Sequence, residues 1–290
     1  MRIAFIGLGI MGSRMAANIL SAHPDLHIYN RSVSKAQELV RNGGRLAASP
    51  AEAAENADVV FTMLSTPDAV REAALGTAGG FLSRMKANAL WVDCSTVNPA
   101  FSREMAGETR ERGLRFVDAP VAGSKLPAER GELLFLVGGE AGDLAEIRPL
   151  LEVMGKKTVH VGPAGSGTAM KMVVNLMLGQ AMVAFSEAVA FAESIGLARS
   201  QVLDTLLGGA TAAPFLQAKR SKIESGAYDT EFPLRWMLKD LDLVAGEAAA
   251  SGAVLLAGSA AREAYALALK GGLGDVDFSA VFQLYRKGGR

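Results

Sequence analysis

Cysteine is almost absent from this chain of 290 residues, which contains only Cys94. A single thiol excludes an internal disulfide and is typical of a protein from a reducing compartment. Histidine is nearly as rare, and His23, His27 and His160 have no evident metal-ligand partners in the sequence. We therefore expect neither a disulfide framework nor a metal site.

A net charge is also missing, because 30 Lys and Arg residues balance 30 Asp and Glu residues. This balance argues against a basic nucleic-acid surface and against a polybasic membrane patch. The chain opens directly on a strand-like run, residues 3–6, with no signal-peptide pattern before it. We expect a soluble, cytoplasmic protein with no nucleic-acid or membrane partner. Half of the residues are hydrophobic, which is enough for one large domain or two ordinary ones.

Short apolar runs alternate with Ala-, Glu- and Arg-rich stretches in the first part of the chain. The apolar runs predict strands at residues 3–6, 26–29, 59–64, 90–92, 115–117, 133–137 and 158–161. Helices are predicted between them, for example at residues 34–41 and 102–112. This alternation predicts βαβ units, and so an α/β fold with a mostly parallel sheet.

The pattern becomes helical after Gly162. One long helix is predicted at residues 168–195, with helices and loops beyond it. A glycine-rich run at residues 162–167 marks a boundary, so we predict domains at residues 1–162 and 163–290. The apolar stretch at residues 170–185 would also suit a membrane span. Lys171, Asn175 and Gln180 interrupt it and favour a helix buried in protein.

The chain begins with the pattern G-x-G-x-x-G, formed by Gly7, Gly9 and Gly12, after the first predicted strand. The first glycine permits a tight turn, the second lets the backbone approach a pyrophosphate, and the third allows close packing of helix and strand. The following helix start offers N–H groups to the phosphates. This context favours dinucleotide binding over an ordinary glycine-rich turn.

The end of the second predicted strand indicates which dinucleotide is bound. An NAD site usually has Asp or Glu there to accept from the ribose 2′-OH, whereas this chain has Asn30. An amide does not repel a 2′-phosphate, Arg31 supplies a cation with a planar donor fork, and Ser32 adds a hydroxyl. We predict NADPH as the preferred cofactor, with NADH also possible if Arg31 is only a solvated loop residue.

Two later strand ends are expected to complete the cofactor wall. Met63, Leu64, Ser65, Ser95 and Thr96 lie at the C-terminal ends of predicted strands, where open α/β sheets bind ligands. Cys94 lies beside them, and no histidine is placed nearby in the sequence to activate it. A buried strand cysteine is therefore favoured over a catalytic thiol.

Three further motifs follow GLGIMG in order: DAPVAGSK at residues 118–125, GSGTAMK at 165–171 with Asn175, and KDL at 239–241. Together, over nearly the whole chain, they resemble the β-hydroxyacid dehydrogenase family. That family includes 3-hydroxyisobutyrate dehydrogenases, tartronate semialdehyde reductases and glyoxylate/succinic semialdehyde reductases. The resemblance implies a Rossmann-type doubly wound domain, an all-α C-terminal domain and a long helix that links them. Residues 123–133 and 30–32 are most similar to the NADPH-using glyoxylate/succinic semialdehyde reductase branch.

Lys171 and Asn175 are four residues apart, so they share one face of the long helix. An unpaired charge is costly in an apolar helix, although a lysine there can also extend its stem to bring the ammonium to water. The family motif favours a catalytic reading. Lys171 is then the general acid in reduction and the general base in oxidation, and Asn175 orients Lys171 or the substrate.

The remaining predicted contacts concern the substrate and the nicotinamide. The loop at residues 118–125 is expected to hold a substrate carboxylate through Ala122, Gly123 and Ser124, unless it is a simple turn between strands. Family members usually have Ser at the position of Ala122, so one hydroxyl donor is missing. Phe232 and Lys239 are placed near cofactor and substrate by resemblance alone. Without the resemblance, Lys239 and Asp240 would read as a charged helix pair.

The sequence thus predicts an NADPH-dependent reductase of glyoxylate and succinic semialdehyde, acting on small carboxylate-bearing aldehydes or hydroxy acids. Alternatives are an NAD-dependent 3-hydroxyisobutyrate or other β-hydroxyacid dehydrogenase, a tartronate semialdehyde reductase, an imine reductase, and a non-catalytic nucleotide-binding module. The apolar second half predicts a homodimer or homotetramer. The predicted cofactor-binding residues are Gly7, Leu8, Gly9, Ile10, Met11, Gly12, Asn30, Arg31, Ser32, Met63, Leu64, Ser65, Thr96, Phe232 and Lys239.

Overall fold

The structure is a computed structural model that describes residues 1–77 and 80–286. It consists of two compact units, Met1–Lys171 and a second that begins at Met172. The division falls inside the long helix, after its first residues. The boundary after Gly162 that the glycine-rich run predicts stays a prediction.

The first unit is built on one nine-stranded sheet, counted over the described residues. Its strands are β1 (Ile3–Ile6), β2 (Leu26–Tyr29), β3 (Arg45–Leu46), β4 (Val59–Thr62), β5 (Leu90–Asp93), β6 (Arg115–Asp118), β7 (Val121–Ala122), β8 (Leu133–Gly138) and β9 (Gly155–Gly162). Their order is β3-β2-β1-β4-β5-β6-β8-β7, and β9 also pairs with β8. The strands from β3 to β6 are parallel, so the predicted mostly parallel sheet is confirmed. The order reverses between β1 and β4, which makes their carboxyl ends the expected ligand site.

Helices cover both faces of this sheet. They are α1 (Gly12–Ala22), α2 (Gln37–Arg41), α3 (Pro50–Ala53), α4 (Pro67–Leu75), α5 (Pro99–Glu111), α6 (Lys125–Glu129), α7 (Ala141–Glu152) and the start of α8 (Ser166–Ser194). Single 3₁₀ turns occur at Val33–Ala36 and Phe81–Arg84. Side chains of β1 alternate between two cores, since Ile3 and Phe5 join one and Ala4 and Ile6 the other. The sheet is therefore doubly wound, as the family resemblance implied.

The loops that leave β4 and β5 end at helix starts that the sequence specifies. The Thr66 side chain accepts from the Ala69 N–H and precedes Pro67, and the Asn98 side chain accepts from the Phe101 N–H and precedes Pro99. A polar N-cap followed by proline is the favoured way to begin a helix. These caps fix where the loops carrying Ser65 and Thr96 end.

The second unit is helical, with no strand among residues 172–286, which confirms the predicted all-α C-terminal part. It contains most of α8, then α9 (Arg199–Gly208), α10 (Arg220–Ser225), α11 (Leu234–Ser251) and α12 (Leu256–Lys270), with 3₁₀ segments at Pro214–Lys219 and Phe278–Tyr285. Its core includes Met182, Leu241 and Tyr265, all nearly or fully buried.

Helix α8 is long and apolar enough, by length and composition alone, to cross a membrane. Of its most apolar window, however, 44% is already buried inside the protein. The buried polar residues Thr168, Asn175 and Ser186 lie along it. The burial and these polar groups agree with the expectation of a helix packed in protein.

Candidate active site

The three glycines of the turn after β1 differ in what the protein itself requires of them. Gly7 has φ +102°, and a Cβ there would overlap the Met63 carbonyl. A Cβ at Gly12 would overlap the Gly7 carbonyl oxygen. A Cβ at Gly9, in contrast, would meet nothing within 4 Å. The space over Gly9 is thus open at the start of α1, which is what a pyrophosphate needs, so this turn fits a dinucleotide.

Asn30 connects the end of β2 to the glycine-rich turn. Its Oδ1 accepts a 2.8 Å hydrogen bond from the Leu8 N–H, and its Nδ2 donates to the Ser32 carbonyl at 2.9 Å. Arg31 is exposed, and within residues 1–77 and 80–286 no hydrogen bond or ion pair involves its guanidinium. The side chain beside the turn is therefore a neutral, tethered amide, and the adjacent cation is available to a ligand.

The loops after β4 and β5 are joined by side-chain hydrogen bonds. The Leu64 N–H donates to Ser95 Oγ at 2.9 Å, and Thr62 Oγ1 and the Ser95 N–H both donate to Asp93 Oδ1, at 2.8 and 3.0 Å. Trp91 Nε1 donates to Thr62 Oγ1 at 2.8 Å. This network joins the Met63–Leu64–Ser65 segment to the Ser95–Thr96 segment, and Met63 and Leu64 lie beside Gly7 of the glycine-rich turn.

Asp93 and Cys94 are both buried at the end of β5. Burial, the largest influence, raises the pKa of Asp93 to about 6, and the Asp118 carboxylate acts in the same direction. Asp93 Oδ2 has no hydrogen-bond partner among the described residues. Burial also raises the pKa of the Cys94 thiol well above its usual range. Cys94 is therefore a poor nucleophile, in line with the buried strand cysteine that the sequence favoured.

The predicted substrate loop leaves β6 through a short additional strand. Ala122 lies in β7 and pairs antiparallel with Leu134 of β8. Gly123 has φ +126°, and a Cβ there would lie 2.9 Å from Leu133 Cδ2, so the turn needs glycine. Ser124 precedes α6 with an extended backbone. The three residues, called the hairpin tip below, lie where β7 ends and the chain turns into α6, and they are exposed or half-exposed.

Helix α8 carries both predicted catalytic residues. Lys171 lies in its second turn and is half-buried, and Asn175 follows one turn later and is 1% exposed. Asn175 Nδ2 donates a 2.6 Å hydrogen bond to Asp240 Oδ2 of α11. Asn175 Oδ1 is buried with no hydrogen-bond partner among the described residues. A buried acceptor without a donor is costly, so this oxygen is open to a donor from a ligand.

The second unit also positions Lys239 and Phe232. Lys239 Nζ lies 2.8 Å from Asp240 Oδ1, so Asp240 contacts both Asn175 and Lys239. The Phe232 N–H donates to Asp277 Oδ2 at 3.3 Å, and its ring lies 5.6 Å from that of Phe278. Asp240 and Asp277 thus hold the residues that resemblance selected.

Sequence reasoning missed several residues of the site. It quoted Asp118, Thr168 and Asp240 within motifs but gave them no role in the site, and it did not consider Thr62 or Asp93. Asp93 and Asp118 each end a buried strand. An acidic residue at the end of a buried strand is the signal that could have identified these two. In the first unit, the predicted cofactor-binding residues lie at the carboxyl ends of β1, β2, β4 and β5, residues 122–124 lie at the end of β7, and Lys171 lies on α8. Asn175, Phe232 and Lys239 lie in the second unit.

Two sequence models of known families match the chain. The model described as the NAD-binding domain of 6-phosphogluconate dehydrogenase matches residues 2–162. The model described as the NAD-binding of NADP-dependent 3-hydroxyisobutyrate dehydrogenase matches residues 165–285. The chain belongs to the β-hydroxyacid dehydrogenase family.

Members of this family resemble the chain over nearly its whole length. Glyoxylate/succinic semialdehyde reductase 2 of Arabidopsis thaliana is 36% identical over 97% of this chain and 78% of its own. The NAD-dependent L-serine dehydrogenase of Pseudomonas aeruginosa is 37% identical over 98% of this chain and 97% of its own. The structure of Mycobacterium tuberculosis 3-hydroxyisobutyrate dehydrogenase with L-serine superposes with a TM-score of 0.88, at 33% identity, over 98% of this chain and 99% of that one.

As a member of the β-hydroxyacid dehydrogenase family, the protein is an NAD(P)-dependent oxidoreductase of hydroxy acids. The family confirms the predicted enzyme class and the nicotinamide cofactor. A small hydroxy or keto acid is the corresponding substrate class.

Proposed function

We propose that this enzyme is an NADPH-dependent reductase of small aldehyde or keto acids, with glyoxylate and succinic semialdehyde as substrates. The substrate assignment is supported by the Arabidopsis relative and by the segment at residues 123–133. The observation that carries the cofactor assignment is the exposed Arg31 beside Asn30.

The cofactor argument depends on charge. A carboxylate at the end of β2 would repel a 2′-phosphate, whereas Asn30 is neutral and its amide is already bonded to the Leu8 N–H and the Ser32 carbonyl. Arg31 has a guanidinium that can bind a phosphate with two parallel hydrogen bonds. NADPH would therefore gain an ion pair here that NADH cannot form.

In this proposal, residues of the chain donate the proton and orient the substrate. A bound nicotinamide supplies the hydride that reaches the carbonyl carbon. The Lys171 ammonium polarises the carbonyl oxygen, stabilises the alkoxide charge as it forms, and donates one proton to give the hydroxy acid. Asn175, held by Asp240, orients Lys171 or the substrate. In oxidation the neutral Lys171 amine would accept the same proton.

The substrate carboxylate is assigned to the hairpin tip at Ala122, Gly123 and Ser124. Backbone N–H groups in such a turn can form a concave anion site. Ala122 has no hydroxyl to offer, so the Ser124 hydroxyl is the replacement donor in this proposal. A changed donor set affects which acid binds more than which reaction occurs.

A second candidate is the oxidation of a β-hydroxy acid with NAD. It is favoured by the Pseudomonas and Mycobacterium relatives, an NAD-dependent L-serine dehydrogenase and a 3-hydroxyisobutyrate dehydrogenase. Both candidates share the fold and the lysine, and they differ in cofactor and carbon skeleton.

Steady-state turnover separates the two candidates. NADPH and NADH would each be tested with glyoxylate, succinic semialdehyde, tartronate semialdehyde and methylmalonate semialdehyde, and NAD with 3-hydroxyisobutyrate and L-serine. Fast reduction of the first two with NADPH supports the proposal. Turnover only with NADH or NAD, or only with the other acids, replaces it with the second candidate.

Arg31→Ala tests the cofactor assignment directly. We expect its NADPH KM to rise by about 10-fold or more while its NADH KM changes by less than about 2-fold, because only NADPH loses an ion pair. Arg41→Ala, which removes another exposed cation of the same unit, is the control and should change neither. Equal effects on both cofactors would contradict the assignment.

Lys171→Ala tests the catalytic role. This variant should keep cofactor binding and lose turnover by roughly 100-fold or more, the usual size of a general-acid effect. The exposed Lys157→Ala on β9 should leave both unchanged. Loss of cofactor binding in Lys171→Ala, or retained turnover, would contradict the role.

We also infer that the enzyme works in the cytoplasm as a homodimer or homotetramer. The single buried Cys94 suits a reducing compartment, and an exposed apolar stripe along α8 supports self-association.

A further inference from the structure

The residue at the N-cap position of helix α8 has no side chain to cap it. Its first residue is Ser166, and Gly165 fills the N-cap position, because the Gly165 carbonyl accepts the first intrahelical bond, from the Ala169 N–H at 3.0 Å. Gly165 has φ +91°, and a Cβ there would lie 3.0 Å from the Pro99 carbonyl oxygen. Glycine is thus required at this position, yet glycine has no side chain to accept the orphan N–H groups of the first turn.

The Asp118 carboxylate supplies this cap from the end of β6. Oδ1 accepts from the Gly165 N–H at 2.7 Å, and Oδ2 accepts from the Thr168 N–H at 2.7 Å. These are the two N–H groups that a capping box satisfies with two separate side chains. Here one buried carboxylate, 47 and 50 residues earlier in the chain, does both.

Further contacts fix the carboxylate itself. Thr168 Oγ1 also donates to Asp118 Oδ2, at 3.0 Å, so the 2.9 Å contact between Ser102 and Thr168 must have the Ser102 hydroxyl as its donor. Asp118, Ser102 and Thr168 are each 1% exposed or less. A Cβ at Gly138 would lie 2.5 Å from Asp118 Oδ1 and 2.8 Å from the Gly167 N. The start of α8 therefore lies against the backbone of β8 with no room for adjustment.

The same aspartate begins the predicted substrate hairpin. Asp118 is the last residue of β6, and β7 with Ala122 follows three residues later. Lys171 follows Thr168 by less than one helical turn, about 5 Å along the axis. The Asp118 side chain thus joins two elements. One is the strand that leads to the hairpin tip, which is proposed to bind the substrate carboxylate, and the other is the first part of α8, which carries Lys171. Its negative charge also lies at the positive end of the helix dipole, which favours this arrangement.

We propose that Asp118 is the positioning residue of the reaction: it caps α8 and thereby sets the place of Lys171 relative to the hairpin tip at residues 122–124. This inference rests on the proposed role of Lys171. Misplacement of a catalytic group by about 1 Å can cost roughly 100-fold in rate, so loosening this cap should reduce turnover without removing any reacting group.

The test compares Asp118→Asn with a matched cap variant. The Asn side chain has one acceptor oxygen where the Asp118 carboxylate has two. Its NH2 group would therefore face the N–H of either Gly165 or Thr168. We expect kcat to fall by about 30-fold, with NADPH affinity and substrate KM within about 3-fold of wild type. Amide hydrogen exchange should accelerate at residues 165–171 and stay unchanged at residues 3–29. Ser49→Ala removes the hydroxyl that accepts from the Glu52 N–H at the start of α3, and it should leave kcat unchanged.

A double-mutant cycle shows whether Asp118 acts through Lys171. In a Lys171→Ala background, Asp118→Asn should change the residual rate by less than about 2-fold, because the group it positions is gone. If the two losses multiply, or if exchange at residues 165–171 does not change, the proposal is wrong. Normal kcat with faster exchange would likewise overturn it.

Two precautions keep the result interpretable. If Asp118→Asn does not fold, Thr168→Val removes the hydroxyl that donates to Asp118 and accepts from Ser102, and it keeps both backbone N–H bonds to Asp118. It should give the same pattern at about 3- to 5-fold in kcat. The kcat of each variant is divided by the wild-type kcat, and both are measured with an acid and a cofactor that the wild type turns over. A wild type that is inactive on glyoxylate and succinic semialdehyde but active on another acid would refute the proposed substrates and leave this test intact.

Discussion

Three glycines in one turn give a prediction at the scale of single residues. Gly9→Ala should cost less than about 1 kcal/mol of unfolding free energy, because its Cβ meets nothing within 4 Å. It should nevertheless weaken NADPH binding by roughly 10-fold or more, since the methyl group would occupy the phosphate space. Gly12→Ala should cost about 2 kcal/mol or more, because its Cβ overlaps the Gly7 carbonyl. Urea unfolding and fluorescence titration with NADPH check both. Equal loss of stability in the two variants would contradict this division of roles.

Asp93 gives a second residue-scale prediction, which concerns pH. Burial raises its pKa to about 6 in the folded protein, above the ordinary value of 3.8. The folded state therefore holds this proton more tightly than the unfolded state does. The resulting stabilisation is complete below the ordinary pKa and is lost as the pH rises through 6.

The measurement compares wild type with Asp93→Asn, which cannot ionise. Relative to this variant, the wild-type unfolding free energy should fall by about 1–2 kcal/mol between about pH 5 and pH 7.5. Urea unfolding at four pH values in this window gives the difference. A difference that is flat, or that rises with pH, would mean that Asp93 is ionised throughout the window.

At the scale of elements, a buried ion cluster holds the segment before α11. Lys219 is 4% exposed, and its Nζ donates to Glu231 Oε2 at 2.9 Å and to Asp277 Oδ2 at 3.1 Å. The same Asp277 oxygen accepts from the Glu231 and Phe232 N–H groups. The place of Phe232 therefore depends on Asp277, which lies 45 residues later in the chain, and on the lysine that neutralises it.

Lys219→Met should cost about 3–5 kcal/mol of unfolding free energy, because it leaves buried Asp277 without its cation. Amide exchange at residues 229–233 should also accelerate. Lys270→Met, at the exposed end of α12, is the control for loss of one lysine and should stay within about 0.5 kcal/mol of wild type. A loss below about 1 kcal/mol in Lys219→Met would show that the cluster contributes little.

The elements differ in how far the sequence could predict them. Strands β1, β2, β4, β5, β6, β8 and β9 overlap the short apolar runs of the sequence, and α8 overlaps its long apolar stretch, so local pattern alone marks these elements. Strands β3 and β7 have two residues each, and both residues of β3 are exposed, so no hydrophobic pattern marks them. They exist because a neighbouring strand offers an edge to pair with.

The candidate site divides in the same way. The glycine-rich turn, the loops after β4 and β5, and Lys171 could be placed from local patterns and motif order. The contacts of Asp118 with Gly165 and of Asn175 with Asp240 could not, because they join residues 47 and 65 positions apart. Such contacts depend on where β6 ends beside α8 and on how α11 packs against α8, and no local periodicity encodes that. The Asn30 amide, 22 residues from the Leu8 N–H it accepts from, belongs to the same class.

At the scale of the whole molecule, one face of α8 should be covered by a second copy of the chain. Val173, Met177, Phe191 and Ile195 are 57–65% exposed, although all four are apolar. Their spacing places them within about 40° of one another around the helix. Ala184 and Ala188 lie on the same exposed face and leave room for close approach. A straight apolar stripe on a long helix is self-complementary under a two-fold axis, which is the commonest symmetry of homo-oligomers.

Charge on this stripe should therefore separate the copies. We expect wild type to elute as a dimer or tetramer in size-exclusion chromatography with light scattering, and Met177→Glu with Phe191→Glu to give a smaller species. Leu46→Glu, on the exposed edge strand β3, puts the same charge on an apolar surface residue of the first unit and should keep the wild-type mass. The smaller species should also unfold at lower temperature, because the stripe then contacts water in the folded state. A monomeric wild type, or a doubly substituted variant of unchanged mass, would contradict self-association through α8.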